Sequence, residues 1–315
     1  MIAELPVLAS ALATAGFWES VFGTGVRVAL PLGLAAMGEL IGERAGVLNL
    51  GVEGTMAVGA LAGVAAAAAG GPTLGIGAGM LAGAVAGLVF ALLVVHWRIN
   101  EIVVGFAYAL GGLALATFLY RGIYDARPSI TPFRAVDIPG LSSIPIIGPA
   151  LFDQPLIVWL LPIVTAVVAW VLTRTRIGLA VRAVGDGPHE ARARGIDVEG
   201  TRIAALCVAG SMAGAGGAIL AAGLVGEFSD QVVGGRGFLA LALVIASGWR
   251  PWVLFAAVLS IGALQGLQLR AQTLDLEVPV EFFQALPFVV TLAVLAFGLG
   301  AARSPRSLGR VAEGM

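Results

Sequence analysis

The sequence predicts an all-α polytopic membrane protein with about nine transmembrane segments, an inverted repeat, broken or re-entrant helices and a cytoplasmic coupling helix. Three observations carry that prediction. Hydrophobic residues make up 59% of the 315 and charged residues only 12%, whereas a soluble domain has roughly a quarter of its residues charged. Mean hydropathy is +0.98. Apolar stretches near the roughly 20 residues that cross a bilayer recur along the chain, with arginines gathered in the connections between them.

Taken in order, residues 1–20 read MIAELPVLASALATAGFWES. Glu4 stands where a cleaved signal would be basic, and the apolar run Leu5 to Trp18 is short for a span, so an interfacial or partly inserted segment is expected. Span-length stretches follow at 22–42, 46–70, 74–96 and 101–120. Residues 122–154 form a Pro-rich loop holding Asp125, Arg127, Arg134, Asp137 and Asp153. The stretch 155–173 leads into a charged island at 174–202, and beyond it come 203–225, 237–249, 251–269, 282–301 and a tail at 302–315. The 237–249 piece is short enough to be re-entrant.

The island carries Arg174, Arg176, Arg182, Arg192, Arg194 and Arg202, which assigns it to the cytoplasm. Alternation then puts Arg44, Arg98, Arg250 and the tail arginines Arg303, Arg306 and Arg310 on the same side, with 122–154 outside. Inside the island, Gly185-Asp186-Gly187-Pro188 breaks the chain before a short helical pattern. Gly187 fits an N-cap with Pro188 at the first helical position, Glu190 favours the positive helix end, Arg192 and Arg194 the negative one, and Gly195 is the stop. About two turns of helix result, either a knob for a cleft on a cytoplasmic subunit or an amphipathic connector.

Two features concern packing and symmetry. NLGVEGTMAVGALAG from Asn49 and GGRGFLALALVIASG from Gly234 each precede a turn and another apolar run. The alternation gives these halves opposite orientations, and inverted repeats with interrupted segments place a pathway where the halves meet. Gly75, Gly79, Gly83 and Gly87, and likewise Gly210, Gly214 and Ala218, have the small-xxx-small spacing that lets helices approach closely.

Composition also excludes chemistry. All 18 basic residues are Arg, so no P-loop lysine, Schiff-base lysine or Ser-Lys dyad exists. His96, His189 and the lone Cys207 give no basis for a metal cluster or an intrachain disulfide. A net charge of -1 gives no reason to expect a nucleic-acid partner. Polar groups inside apolar spans are costly and mark function. The densest set is Glu39, Glu43, Arg44, Asn49 and Glu53 in GELIGERAGVLNLGVEG, punctuated by glycines, which predicts a broken helix pair. Asn49 and Glu53 are the stronger pathway candidates, while Glu43 and Arg44 fit a cytoplasmic turn equally well. In the second half, Glu281, Phe282, Phe283 and Gln284 lie before Pro287, with Gln265 and Gln268 on the preceding span. Carboxamides and carboxylates among aromatics suit a neutral ligand with a flat ring and hydroxyls, and amides bridging helices would look the same.

GERAGVLNLGVEGTMAVGA, RTRIGLAVRAVGDGPHEARARGIDV, GGRGFLALALVIASGWRP and FFQALPFVVTLAVL, in this order and at these separations, resemble the permease subunits of bacterial nucleoside ABC importers. These belong to a wider group that includes ribose and branched-chain amino acid permeases. The resemblance covers about Leu30 to Leu295. It implies a single permease domain over 1–315 in the bacterial cytoplasmic (inner) membrane, with no enzyme activity and no cofactor of its own. ATP and Mg would be used by a partner ABC ATPase with two fused nucleotide-binding domains. A second homologous permease in a heterodimer and an extracytoplasmic nucleoside-binding lipoprotein are the other partners implied, besides the bilayer. Gly185, Asp186, Gly187, Pro188, Glu190, Arg192, Arg194 and Gly195 would form the coupling element. Glu190 and Arg192 match the family's loop, whereas Asp186 stands where relatives often have Glu and His189 is less usual. A simple-sugar or branched-chain amino acid permease is the alternative within the group. Outside it, an ion-coupled transporter would titrate Glu39, Glu53 or Glu227, and an intramembrane enzyme lacks any of the expected motifs.

Overall fold

The computed structural model describes residues 14–124, 128–137, 139, 140, 142, 144, 147–274, 280–296 and 304–310, without the side chains of 147, 274, 280–284 and 294–296. Twelve helices run through this part. The first four are α1 (Ala15–Arg44), α2 (Val52–Gly70), α3 (Pro72–Ala91), which continues as a π-helical turn to His96, and α4 (Glu101–Ile123). Short strands β1 (Val136–Asp137) and β2 (Asp153–Gln154) flank α5 (Ile147–Phe152), and α6 (Leu160–Arg174) follows a 3-10 turn at Leu156–Trp159. The charged island folds as α7 (Arg176–Asp186) and α8 (Pro188–Ala193). The remainder is α9 (Val198–Ala218), extended by a π-helical stretch to Val225, α10 (Arg236–Ala246), α11 (Pro251–Ala271) and α12 (Val280–Ala296).

Local chemistry sets these boundaries. Pro72, Pro188 and Pro251 open α3, α8 and α11 at positions that need no N–H. Asn100 caps α4 by accepting from the Ile102 and Val103 amides at 3.0 and 3.2 Å. Asp197 caps α9 through Gly200 N at 3.0 Å, and Thr175 caps α7 through Gly178 N at 3.1 Å. Arg44, Arg121, Arg174 and Arg270 lie in the last turns of α1, α4, α6 and α11, where the negative helix end favours a cation.

The nine apolar stretches of the sequence correspond to seven helices long and apolar enough to cross a membrane among the described residues. The 46–70 stretch keeps its span but is helical only from Val52, because 45–51 is not helical. Two stretches account for the difference. The 237–249 stretch is an 11-residue helix, about 16 Å long and about half the hydrocarbon thickness. The 282–301 stretch is described only as the 17 residues of α12. The first span begins at Ala15 and absorbs the end of the N-terminal segment; residues 1–13 lie outside the described residues.

The spans α1, α2 and α9 are the most buried, with α4 and α11 the least. Backbones touch where glycines line up. A Cβ at Gly83 would strike Gly210 O, one at Gly59 would strike Gly214, and one at Gly217 would strike Met56 O. The two glycine ladders of the sequence therefore meet each other, α3 against α9, with α2 locked into the same seam.

The structure gathers at one end the connections that the positive-inside alternation groups together. Arg44 donates to Trp249 O at 3.2 and 2.7 Å, His96 meets Glu199 at 2.7 Å, and Ser307 N donates to Gly185 O at 3.0 Å. At the opposite end Phe133 N donates to Gly223 O at 2.9 Å, Arg121 pairs with Asp230, and the Tyr120 and Phe228 rings lie 4.9 Å apart. The described part of 122–154 folds down onto the protein: α5 packs on α1, β1 pairs antiparallel with β2, and Ile130 and Gln154 are buried. Asp125 and Arg127 lie outside the described residues.

Candidate functional site

The break between α1 and α2 is built by the polar residues that the sequence singles out. Residues 45–51 carry backbone groups that a helix would satisfy and lipid cannot. Gly46, at φ +83, turns the chain back along α1. Glu39 Oε1 then accepts from Asn49 N at 3.0 Å, Glu101 Oε2 from Leu48 N at 3.1 Å, and Asn49 Oδ1 from Gly51 N at 2.9 Å. Glu39 and Asn49 are buried, and neither is among the residues lining the cavities described below. Their geometry is that of groups shaping the break.

Glu53 reaches further. Its Oε1 accepts from Gly235 N and its Oε2 from Gly237 N, each at 2.7 Å. One carboxylate in the first turn of α2 thus satisfies two free amides at the start of α10, at the helix end where a negative charge is stabilised. The fit is close, since a Cβ at Gly237 would meet Glu53 N and Cα. From this junction α2 runs to Gly70, whereas α10 runs toward Trp249 and the arginine-bearing end. The two segments that echo each other in sequence therefore meet at their starts.

Beside the junction lies a cavity of about 320 Å³. Gln231, Gly234 and Arg236 border it at the start of α10, Gln265 and Gln268 on α11, and Phe288 on α12. Arg236 Nη1 donates to Val232 O at 3.2 Å and Val233 O at 3.0 Å. A larger groove of about 740 Å³ between α6, α7 and α9 is lined mainly by aliphatic side chains; the Asp197 there is already engaged as the α9 cap. The smaller cavity is the one that combines amides, a cation and an aromatic face, and its size lies within the ~300–1,000 Å³ of small-molecule sites.

Of the residues expected in the pathway, Gln265 lines this cavity, Glu53 holds its wall, and Asn49 and Glu39 lie behind at the break. The backbone of Phe282, Phe283 and Gln284 belongs to α12, which also carries Phe288, while their side chains lie outside the described residues. Arg236, Gln231 and Phe288 were not singled out from sequence. A lone arginine opening an apolar run was the available signal for Arg236.

The loop at 185–195 takes the predicted helical form. Gly187 is the N-cap of α8, Pro188 its first residue, and Gly195 sits at φ +81. A longer helix, α7, precedes α8 within the same charged island, with no break in the sequence that marks it off before Gly185. Ala191 is buried against Val184 and Val198, so α8 is pinned to its base while Asp186, Glu190, Arg192, Arg194 and Gly195 are exposed. Gly185 is buried, and a Cβ there would strike Arg44 O. Ser307 Oγ donates to Gly185 O at 2.8 Å and accepts from Arg202 Nη2 at 3.3 Å, and Arg202 Nε donates to Ala45 O at 3.3 Å. Trp249 closes this end: its indole Nε1 donates to Glu43 and its carbonyl accepts both Arg44 bonds.

Comparison with known proteins agrees with this architecture. The family model described as branched-chain amino acid transport system / permease component matches residues 21–295. Nucleoside ABC transporter permease protein NupC of Lactococcus lactis is 35% identical over 294 residues, covering 89% of this chain and 92% of the relative. Guanosine ABC transporter permease protein NupQ of Bacillus subtilis is 32% identical over 296 residues, with coverage of 89% and 92%. Putative glucose ABC transporter permease protein TsgC13 of Haloferax volcanii is 34% identical over 306 residues, with coverage of 90% and 92%. No solved structure matches the chain. With a family match over most of its length and relatives of this identity and coverage, the chain belongs to the family of branched-chain amino acid transport system permease components, the permease subunits of ABC transporters.

Proposed function

We propose that this chain is the permease subunit of an importer that carries nucleosides across the bacterial cytoplasmic membrane by alternating access, driven by ATP hydrolysis on a separate subunit. The observation that carries the ligand class is the 35% and 32% identity to permeases named for nucleosides and for guanosine, each over 89% of the chain. The cavity chemistry supports it. The amides of Gln231, Gln265 and Gln268 and the Arg236 guanidinium suit hydroxyls and a base edge, and Phe288 offers a face for stacking. The pathway then includes Glu53, Gln265 and the α12 segment with Phe282, Phe283 and Gln284, while Asn49 and Glu39 hold the break that lets α2 and α10 meet. The opposed directions of α2 and α10 support an inverted relation between the halves.

In this reading the partner ATPase, a single polypeptide with two fused nucleotide-binding domains, uses ATP and Mg. Gly185 to Gly195 on the cytoplasmic face would be its docking element, with Glu190, Arg192 and Arg194 presenting charge to it. A second homologous permease completes the pathway as a heterodimer, and an extracytoplasmic lipoprotein delivers the nucleoside. ATP binding draws the partner domains together, the coupling elements move with them, and the permeases rock about a weak central site.

A sugar is the second reading, favoured by the 34% identity to a putative glucose permease over 90% of the chain. Uptake of labelled nucleosides, glucose, ribose and branched-chain amino acids by the native host, with and without the gene and with ATP intact or depleted, separates the two. Loss of ATP-dependent nucleoside uptake alone is the expected result. A fall in sugar uptake instead would leave the permease and change its ligand, and sensitivity to an ionophore with ATP maintained would point to ion coupling.

A further inference from the structure

At the arginine-bearing end, apart from the cavity beside α10, lies a polar cavity of about 570 Å³ lined by Arg44, Asp186, Ser304 and Arg306. Three elements build it. Arg44 ends α1 and Asp186 ends α7, while Ser304 and Arg306 lie on the tail. Backbone contacts lock the three together. Gly185 lies so close to α1 that a Cβ on it would meet Arg44 O, and Ser307 donates to Gly185 O through its N–H at 3.0 Å and its hydroxyl at 2.8 Å.

The charges around this cavity do not balance. Arg182 and Arg250 stand near enough to act on the Arg44 charge, as does Asp186. With Arg306, four arginines from four parts of the chain gather about one carboxylate. None of the five makes an ion pair among the described residues. Arg44 commits Nε and Nη2 to Trp249 O, which leaves Nη1 without a partner among the described residues. Asp186, Ser304 and Arg306 are exposed, so a solute can reach them. Like charges drawn together are unfavourable, and the arrangement becomes favourable when an anion bridges them through charge-assisted hydrogen bonds.

We propose that this cavity binds a phosphate group, held between the guanidiniums of Arg44 and Arg306 with the Ser304 hydroxyl as a further donor. Planar guanidiniums match phosphate oxygens, and Arg182 and Arg250 add to the field that draws the anion in. Asp186 opposes it and keeps the affinity down. Two sources carry this chemistry: free phosphate or a phosphate ester in the cytoplasm, and the head group of an anionic phospholipid of the inner leaflet. A bound phosphate would tie the tail to the end of α1, where the break begins, and hold both against α7. The site is independent of which ligand crosses the membrane.

The test is thermal unfolding of the purified importer, permease with its ATPase, in nanodiscs of zwitterionic lipid. Inorganic phosphate is titrated in, with chloride holding the ionic strength constant. Phosphate bound to the ATPase shifts wild type and permease variants alike, so the difference between them reports this cavity. Wild type should show a saturable rise in unfolding temperature. Arg306→Gln should raise the half-saturating concentration roughly tenfold, the loss of one charge-assisted bond. Asp186→Asn removes the opposing charge and should lower that concentration several-fold, an opposite sign that a merely structural role would not give. Nanodiscs containing phosphatidylglycerol then identify the source. If that lipid raises the unfolding temperature in wild type but not in Arg306→Gln, and phosphate adds nothing further, the site holds a lipid head group. If the phosphate titration is unchanged there, it holds a free phosphate. Equal shifts in wild type and both variants, or no shift with either phosphate or phosphatidylglycerol, overturn the inference. Loss of the ATPase from the Arg306→Gln complex without any effect of phosphate or lipid overturns it too, and shows that the cavity seats an acidic side chain of that subunit.

Discussion

Carboxylates in the interior of a membrane protein are costly, and here they are spent on backbone amides that would otherwise be orphaned. Glu39, Glu101 and Glu53 between them accept from Asn49, Leu48, Gly235 and Gly237. Glu53→Gln tests this role without changing shape. The amide oxygen can keep one glycine N–H, but its NH₂ then faces the other, donor against donor. A loss of about 1–3 kcal/mol is expected, read as a lower unfolding temperature of the purified complex; an unchanged transition would remove Glu53 from the architecture of the junction. Trp249 offers a second test. It sits at φ +55, a left-handed conformation that a bulky residue holds only when its surroundings over-determine it, and its indole N–H meets Glu43. Trp249→Phe keeps the ring and removes the donor, leaving both Glu43 oxygens unmatched among the described residues. Destabilisation of about 1–3 kcal/mol should follow in the same assay. The sequence showed that Glu53 was expensive, because a charge beside Gly51 and Gly54 in an apolar run is visible locally. Its partners were not visible, since Gly235 and Gly237 lie 182 and 184 residues away and glycine carries no side-chain signal of what its amide meets.

Helices meet here through glycine rather than through large side chains. With lipid tails as apolar as leucine, association relies on close packing and van der Waals contact. The seam of α2, α3 and α9 reaches backbone-to-backbone contact at Gly59, Gly83, Gly210 and Gly214. Gly214→Val should therefore force α3 and α9 apart and lower the amount of folded permease in the membrane severely, beyond the common 0.5–3 kcal/mol of point substitutions. Gly77→Ala and Gly111→Ala, where an added Cβ meets nothing within 4 Å, should be neutral or stabilising by roughly 0.5–1 kcal/mol. Equal behaviour of the three in an expression and thermal-unfolding series would contradict this packing. The spacing of the two ladders was legible in the sequence, and so were the start and stop of α8, because proline at N1 and glycine after the last turn act locally. The number of spans was less legible. Hydropathy counts apolar residues, and it does not reveal that α10, though helical, is too short to span.

At the scale of the whole molecule, the question is how a loop at one end can influence a junction deeper inside. The arginine pattern grouped the connections that converge at one end, but it could not show which of them touch. The contacts form a chain. The exposed face of α8 bears Glu190, its base is fixed through Ala191 and Val184 to α7, and the last turn of α7 holds Gly185, whose carbonyl takes both Ser307 bonds. Ser307 is tied through Arg202 to Ala45 O, the first residue of the break that leads to Asn49, Glu53 and α10. Glu190→Arg reverses an exposed charge and should uncouple uptake from ATP hydrolysis while leaving unfolding unchanged; wild-type uptake in that variant would take the loop out of the mechanism. Ser307→Ala acts one link further in. It removes a donor to Gly185 O and an acceptor for Arg202 and leaves a buried guanidinium with one fewer partner. The expected cost is about 1–3 kcal/mol of stability, together with a several-fold fall in uptake per ATP hydrolysed. Stability and coupling separate the two roles of this serine. If Ser307→Ala lowers the unfolding temperature but keeps the wild-type ratio of uptake to hydrolysis, the tail is a brace. If the ratio falls, and Ser307→Thr, which retains the hydroxyl, restores it, then the tail transmits motion from α8 to the break.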